Sequence, residues 1–131
     1  MDKRKFVVHR HHAERAGLHD DLRIELRKGK LHSWAIPKLI PLKPGRKVLA
    51  IETEPHGTSW YNFEGTIDDG YGKGRMEIFD KGDAVIVKHT PGKVIVVKLH
   101  GLKGKVNGVY VLVNINKNMK QPQWLLWKRK T

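Results

Sequence analysis

The sequence predicts an all-β protein: a single antiparallel β-barrel domain over residues 1–131, with about eight strands and little helix. Three observations support this fold class. Short runs of alternating or β-branched apolar residues recur along the chain. Glycine, proline and asparagine separate these runs. No long stretch has the 3.6-residue period of an amphipathic helix. Eight or nine short strands in one small domain favour a closed or nearly closed barrel.

The first two strands carry the most informative pattern. Alternation in the first strand places Phe6, Val8 and Arg10 on one side and Val7, His9 and His11 on the other. Residues 13–18 are expected to form a tight turn or one helical turn that stops at Gly17. From His19 onward strict alternation indicates a half-buried strand, whose polar side carries His19, Asp21, Arg23 and Glu25.

The remaining elements follow from turn signals and β-branched content. Further strands are predicted at 31–36, 48–54, 76–79, 83–89, 93–99, 108–115 and 124–127. Turns are expected at 27–30, 80–82 and 91–92, and Asn107-Gly108 is a hairpin signal. Residues 37–46 read as a loop. Pro55 is expected to close a strand, which places His56 just beyond a strand end, where functional side chains often lie.

The charge of the chain points to an anionic partner. The net charge is +13, from 26 Lys and Arg against 13 Asp and Glu. A small domain this basic repels itself unless it meets an anion, and nucleic acid is the first such partner to consider. An acidic membrane surface, the ribosome or plain solubility are alternatives. The basic residues are spread along the chain, which favours a folded basic surface over a disordered arm.

Composition also excludes several classes. The chain has no cysteine, hence no disulfide and no thiolate zinc site. No apolar run approaches the ~20 residues that span a bilayer, and the basic N-terminus leads into no signal-type apolar segment. We therefore expect a soluble, cytoplasmic protein without membrane association, and a monomer.

The candidate site lies in the first two strands, because four of the eight histidines fall between positions 9 and 19. On one strand face His19, Asp21 and Arg23 have Cβ atoms ~7 Å apart. An imidazole and a carboxylate suit a divalent metal, and a guanidinium suits a phosphate. The turn at 13–18 brings His11 or His12 back toward this row.

Other interpretations of these residues remain open. The histidines could form only a solvated basic face. Alternatively, H-x-D with a distant third ligand, here His89 or His100, is the iron-binding pattern of β-barrel oxygenases. The close upstream histidines and the basic charge favour a phosphate substrate. Elsewhere, Trp60 and Tyr61 could stack on a base. The glycine-rich residues 69–74 could bring amides to a phosphate, although they are more typical of a mobile turn.

These residues carry a family resemblance over nearly the whole chain. The sequence resembles the 3′-phosphoesterase domain of bacterial DNA ligase D and its free-standing archaeal relatives. The matching motifs are Phe6-Val7-Val8…His11-x-Ala13…Leu18-His19-x-Asp21-Leu22-Arg23-x-Glu25, Ser33-Trp34-Ala35-Ile36-Pro37-Lys38, Leu49-Ala50…Glu54-x-His56, Phe63-Glu64-Gly65-x-Ile67, Tyr71-Gly72-x-Gly74 and Trp124-x-Leu126-x-Lys128.

The resemblance implies a set of site residues. The metal, Mn²⁺ or another divalent ion, would be held by His11, His19 and Asp21. The loop before His19 is two residues longer than the family pattern, so His12 rivals His11. Arg23 and His56 would be the catalytic residues on the phosphate. The further substrate-binding residues would be Trp60, Lys38 and Glu54.

The resemblance also implies an activity, the repair of 3′ ends at DNA breaks during non-homologous end joining. Such enzymes remove a 3′-phosphate from a primer strand, and some also remove a 3′-terminal ribonucleoside. Because the sequence begins just before the first strand, we expect the first step and leave the second open. The partners would be DNA or DNA/RNA 3′ ends and a DNA ligase, polymerase or Ku-type protein. The alternative is a non-catalytic basic β-barrel that only binds nucleic acid.

Overall fold

The computed structural model describes residues 3–70, 72–116 and 118–130, and nearly all of its regular structure is strand. One 3-10 helix covers Thr58–Asn62. The strands are β1 (Lys3–Ala13), β2 (Gly17–Arg27), β3 (Lys30–Ile36), β4 (Lys47–Gly57), β5 (Gly65–Ile67), β6 (Gly74–Thr90), β7 (Val94–Gly101), β8 (Asn107–Asn116) and β9 (Gln123–Lys128).

These strands form one antiparallel sheet that closes on itself. The strand order is β1-β2-β3-β4-β9-β8-β7-β6-β5, and an additional pairing of β1 with β6 completes the ring. Eight strands therefore make a barrel, and the short β5 adds to the free side of β6. Closure removes the unpaired strand edges of an open sheet. The predicted all-β barrel of about eight strands is confirmed.

The barrel interior is the hydrophobic core. It is filled by side chains from every barrel strand, among them Phe6, Val8, Leu22, Ile24, Trp34, Ile36, Ala50, Ala84, Val97, Tyr110, Leu112, Trp124 and Leu126. A second, smaller cluster lies outside the barrel wall, where Trp60 and Tyr61 pack on Val7, Leu31 and Ile78. The barrel wall is therefore covered on its outer face as well, at positions on β1, β3 and β6.

This double covering corrects the expectation that β2 is half-buried. Every residue from His19 to Glu25 is buried. Leu22 and Ile24 face the core, while Arg23 on the other face lies against the Trp60 ring and Asp21 lies among His11, His19 and Arg23. Alternation of apolar and polar residues marked the two faces correctly, but it could not show that the polar face is also covered.

The turn predicted at residues 80–82 is wrong, because β6 runs unbroken from Gly74 to Thr90. The buried Asp80 carboxylate accepts from the amide of Lys81 and also from the distant amides of Lys103, Lys105 and Val106. A Cβ at Gly82 would overlap the carbonyl of His100, so glycine here permits close strand approach. The Asp80-Lys81-Gly82 sequence, which is typical of a turn, therefore serves contacts with the distant residues 100–106 instead.

The hairpin signal at Asn107-Gly108 is displaced. A β7–β8 hairpin does form, but its loop covers residues 102–106, and Asn107 and Gly108 pair with His100 and Leu99 inside the strands. The Asn107 side chain instead accepts from the amide of Gly101. No helix among the described residues has the length and apolar character needed to cross a membrane.

Candidate metal centre and phosphate groove

Three residue pairs on β1 and β2 build the floor of the site on the outer face of the barrel. The register places His11 opposite His19, His9 opposite Asp21 and Val7 opposite Arg23. Residues 14–16 make the turn, and Gly17 then adopts the left-handed region at φ 77°. The tight turn therefore brings an upstream histidine back to the polar row of β2, as the sequence suggested.

His11, His19 and Asp21 form a compact set of possible ligands. One ligand atom from each lies within 4.8 Å of the others, the only such group of three among the described residues. The Asp21 oxygens lie 3.2 Å from His11 Nδ1 and 3.2 Å from His19 Nε2. All three residues are buried. The carboxylate therefore bridges the two rings.

The outer nitrogen of each ring fixes where its proton lies. His11 Nε2 is 2.7 Å from the carbonyl of Gly72, and His19 Nδ1 is 3.1 Å from the carbonyl of Gly17. A carbonyl only accepts, so each of these nitrogens carries hydrogen. The other nitrogen of each ring faces Asp21: it donates to the carboxylate when the ring is doubly protonated, and it offers a lone pair to a cation when the ring is neutral. Two lone pairs and a carboxylate converge, and a divalent cation suits that arrangement well.

The protonation of Asp21 is consistent with this role. Burial alone would raise its pKa, but hydrogen bonds from His11 and His19 and the charge of Arg23 outweigh burial and lower the pKa far below the usual range. Burial opposes a charge on His19, yet its contact with Asp21 raises the His19 pKa. Asp21 is thus an anion at neutral pH, as a metal ligand must be.

His12 lies outside this set. Its side chain contacts Glu77 on β6, with Nε2 3.1 Å from the carboxylate, and 39% of it is exposed. The alternation of β1 turns His12 away from His19 and Asp21. The distal histidines of the oxygenase-type alternative, His89 and His100, are exposed on β6 and β7.

Arg23 lies beside the ligand set and is held on three sides. Its Nε donates to His9 Nδ1 at 3.1 Å, and one terminal nitrogen lies 3.5 Å from Asp21. Its guanidinium carbon stands 4.9 Å from the Trp60 ring centre. Only 3% of the residue is exposed, so these contacts hold the guanidinium group in one orientation beside the groove.

His56 reaches the same face because of a β-bulge. Thr53 pairs with Ser33 and His56 pairs with Leu31, so two residues of β4 stand opposite a single residue of β3. The extra residue returns His56 to the outward side that Thr53 occupies. Pro55 lies in this bulge and the strand continues to Gly57. The expectation that Pro55 ends the strand is therefore wrong, since bulges tolerate proline.

Trp60 supports His56 and Arg23. The Trp60 ring lies 4.3 Å from the His56 ring and 4.9 Å from the Phe63 ring, measured between centroids. Tyr61 has the ammonium groups of Lys5 and Lys81 over its ring. Both aromatics are therefore packed against protein side chains, which leaves less ring surface for a base than the sequence suggested. Burial, and next the charge of Arg23, lower the pKa of His56.

A groove of about 520 Å³ opens over these side chains. Its lining includes His11, His19, Asp21, Arg23, His56 and Trp60. A second cavity of about 630 Å³ adjoins it and shares Ile51, Thr53 and Gln121 with it. Glu54 lines this second cavity, whereas Lys38 is exposed on the 37–46 loop and lines neither. The glycine-rich segment contributes Gly72, and Tyr71 lies outside the described residues.

His9 is the residue of this site that sequence reasoning missed. It is fully buried, and its Nε2 lies 2.9 Å from the carbonyl of Phe63. Burial, and next the charge of Arg23, lower the pKa of His9 to about 4. The signal was present, because His9 and His11 alternate on one face of β1, but only the register with β2 shows that His9 meets Arg23.

The barrel and this outward site define a class: a β-barrel with two histidines and a carboxylate beside a buried arginine. A family model described as "DNA Ligase D 3'-phosphoesterase domain" matches residues 9–114. The chain is 43% identical over 121 residues to the multifunctional non-homologous end joining DNA repair protein LigD of Mycobacterium tuberculosis (strain CDC 1551), covering 88% of the chain. It is 39% identical to the LigD proteins of Mycolicibacterium smegmatis and Pseudomonas aeruginosa, covering 96% of the chain in each.

The chain therefore belongs to the DNA ligase D 3′-phosphoesterase domain family. It spans only 15% to 17% of the length of these relatives. The family resemblance drawn from the sequence motifs is confirmed.

Proposed function

We propose that this protein is a metal-dependent phosphoesterase that removes the 3′-phosphate from the end of a DNA or DNA/RNA strand. One observation carries the proposal: two histidine lone pairs and the Asp21 carboxylate converge in a groove that also holds Arg23 and His56. Membership of a family described as 3′-phosphoesterase gives this geometry its substrate class. A non-catalytic binding module would not need such a centre.

His11 Nδ1, His19 Nε2 and an oxygen of Asp21 would hold the metal. Mixed imidazole and carboxylate donors without thiolate suit ions of intermediate character, and we propose Mn²⁺ first among them. Such an ion, when bound, supplies Lewis-acid polarisation of a phosphate oxygen. The carbonyls of Gly72 and Gly17 keep both rings oriented for this task.

Arg23 and His56 would act on the phosphate. Arginine has no acceptor and cannot ligate a cation, but its planar fork matches phosphate oxygens. Water attacks phosphorus, the bond from phosphorus to the 3′ oxygen breaks, and one proton of the water ends on that oxygen, which gives a 3′-hydroxyl and inorganic phosphate. The lowered pKa of His56 makes its ring neutral at pH 7 in the free protein, so it enters the site as a hydrogen-bond donor to phosphate.

The biological setting we propose is the repair of broken ends. The relatives are named as non-homologous end joining proteins, and a cleaned 3′-hydroxyl is what a polymerase or ligase needs next. A DNA ligase, a polymerase or a Ku-type end-binding protein would then be the partner in the pathway. Removal of a 3′-terminal ribonucleoside is a second reaction that the same groove could serve, with the cavity at Glu54 available for the adjacent nucleotide.

The test is release of inorganic phosphate from a 3′-phosphorylated oligonucleotide with Mn²⁺ and with chelator. We expect metal-dependent release and a 3′-hydroxyl product that a polymerase extends. A 5′-phosphorylated strand of the same sequence is the matched control and should remain intact. Oligonucleotide binding without phosphate release under any divalent ion would instead establish the non-catalytic binding module.

A further inference from the structure

We propose that His9 is a positioning residue for Arg23, which it orients through a hydrogen bond from Arg23 Nε to His9 Nδ1. The inference rests on the proposed function for its effect on turnover, and on geometry alone for the contact itself. His9 is fully buried and does not line the groove. It therefore cannot touch a substrate and can act on phosphate only through a neighbour.

The two partners of His9 specify one form of the ring. The Phe63 carbonyl, 2.9 Å from Nε2, can only accept a hydrogen bond, and Arg23 Nε, 3.1 Å from Nδ1, can only donate one. Only a ring with hydrogen on Nε2 and a lone pair on Nδ1 satisfies both contacts. Because Arg23 occupies Nδ1, His9 is not a fourth member of the metal set, although it lies two residues from His11.

This contact sets the plane of the guanidinium. The Nε–H lies in that plane, so fixing its direction fixes the direction of the two terminal nitrogens. One of them faces Asp21 at 3.5 Å, and the Trp60 ring supports the group from its face. Among the described residues no hydrogen bond reaches the other terminal nitrogen, Nη1. His9 thus directs Arg23 so that Nη1 can donate to a phosphate in the groove.

His9 also joins Arg23 to the cover of the site. Its second contact is the carbonyl of Phe63, which directly follows the 3-10 helix that carries Trp60. The His9 ring meets the Trp60 and Phe63 rings edge-on, at 6.1 and 6.2 Å between centroids. A single buried ring therefore links the floor of the groove on β1 and β2 to the residues that close over it.

The first experiment uses His9→Ala and His9→Gln, alone and in an Arg23→Ala background. Glutamine keeps one donor for Phe63 and one acceptor for Arg23. We expect His9→Ala to lower kcat/KM on a 3′-phosphorylated oligonucleotide about 10- to 100-fold, with Mn²⁺ affinity unchanged, and His9→Gln to recover most of the loss. In the Arg23→Ala background, His9→Ala should change the rate less than about twofold, since its effect runs through Arg23.

His100→Ala, an exposed histidine on β7, is the control and should match the unmodified protein. The proposal is overturned if the double variant lowers kcat/KM by the product of the two single reductions. It is also overturned if folded His9→Gln loses as much kcat/KM as His9→Ala.

The second experiment does not depend on turnover. In ¹⁵N NMR spectra the His9 ring should carry hydrogen on Nε2 alone. The Arg23 Nε–H, identified by its loss in Arg23→Ala, should exchange slowly with solvent. That protection should vanish in His9→Ala and persist in His9→Gln and His100→Ala. Hydrogen on Nδ1 of His9 would overturn the proposal. So would an exchange rate of the Arg23 Nε–H that is the same in His9→Ala as in the unmodified protein. If these spectra hold while no phosphate is released, the proposed function fails and the positioning contact stands.

Discussion

At the residue scale, Asp21 links the two chemistries of the groove. Its oxygens face both histidine lone pairs, and the same carboxylate lies 3.5 Å from the Arg23 guanidinium. A cation bound by Asp21 and a phosphate bound by Arg23 would therefore be neighbours. This proximity is what a metal-assisted reaction at phosphorus requires, because charge develops on oxygens that both groups can reach.

The first prediction separates the two rival ligand sets. His11→Ala and Asp21→Asn should each weaken Mn²⁺ binding about 100-fold, because the first removes a donor from a three-residue set and the second removes the negative charge of the carboxylate. His12→Ala and Glu77→Gln are the matched controls, since they alter the neighbouring pair that faces away from the groove. Isothermal titration measures all four. Retention of full affinity in Asp21→Asn together with its loss in Glu77→Gln would move the metal site to His12.

The second prediction concerns Arg23 and His56, which we expect to act on phosphate and not on the metal. Removing one donor to developing charge typically lowers the rate ~10²–10³-fold. Arg23→Ala and His56→Ala should therefore lose most turnover in the phosphate-release assay while binding Mn²⁺ normally. Arg23→Lys should recover only part, because a point charge cannot replace a planar fork. Loss of metal from His56→Ala would identify His56 as a ligand and contradict these roles.

Sequence reasoning succeeded at this scale where contacts are local. Alternation alone predicted His19, Asp21 and Arg23 in one row, and the short turn predicted that a histidine of β1 returns to it. His11 and His12 were left as rivals, and the structure places His11 beside His19 and Asp21 and His12 beside Glu77, as the parity of β1 requires. His9 was missed because its partners, Arg23 and Phe63, lie 14 and 54 residues away in the chain. Nothing near His9 in the sequence distinguishes a buried neutral ring from a ligand.

At the scale of elements, two irregularities shape the barrel. The β4 bulge places His56 at the groove. The long β6 strand carries Asp80, whose carboxylate accepts hydrogen bonds from backbone amides of the β7–β8 loop. Both were misjudged from the sequence for one reason. Pro55 and Asp80-Lys81-Gly82 are standard breaking signals, but pairing with neighbouring strands overrode them. Local propensity cannot anticipate a partner strand that lies far away in the chain.

The third prediction tests the Asp80 anchor. Burial would raise the pKa of Asp80, but hydrogen bonds from the Val106, Lys103 and Lys105 amides lower it. A depressed folded pKa stabilises the protein above the unfolded pKa of ~3.9, and that stability is lost as pH falls through the folded value. Asp80→Asn turns an NH₂ group toward amide donors, so we expect a loss of about 3 kcal/mol in the free energy of unfolding at pH 7.

Urea denaturation between pH 7 and pH 3 measures this effect. Asp80→Asn should also show a shallower decrease in stability with acid than the unmodified protein, because the titrating carboxylate is gone. Asp83→Asn makes the same change on the same strand at a half-buried position, and we expect it to have little effect. Equal losses in the two variants would mean that Asp80 contributes only its charge.

At the scale of the whole molecule, the core and the candidate site occupy opposite faces of one barrel wall. The interior is apolar and is filled from every barrel strand, whereas the metal and phosphate residues lie outside. Substitutions in the groove should therefore leave the barrel folded, which makes the variants above interpretable. The net charge of +13 belongs to this scale too, because it is distributed along the chain and not confined to the groove.

The last prediction concerns that charge. Each phosphate neutralised by a lysine or arginine releases condensed counterions, so affinity for duplex DNA falls with salt at a slope of about −0.9 per contact. With about four contacts, affinity should drop roughly 100-fold between about 50 mM and about 200 mM salt. Fluorescence anisotropy on two duplexes of unrelated sequence should give the same slope, since phosphate contacts carry no base information. A duplex with methylphosphonate linkages, which lack charge, should bind weakly and with little salt dependence. Salt-independent binding to the natural duplex would show that the basic surface does not track phosphates.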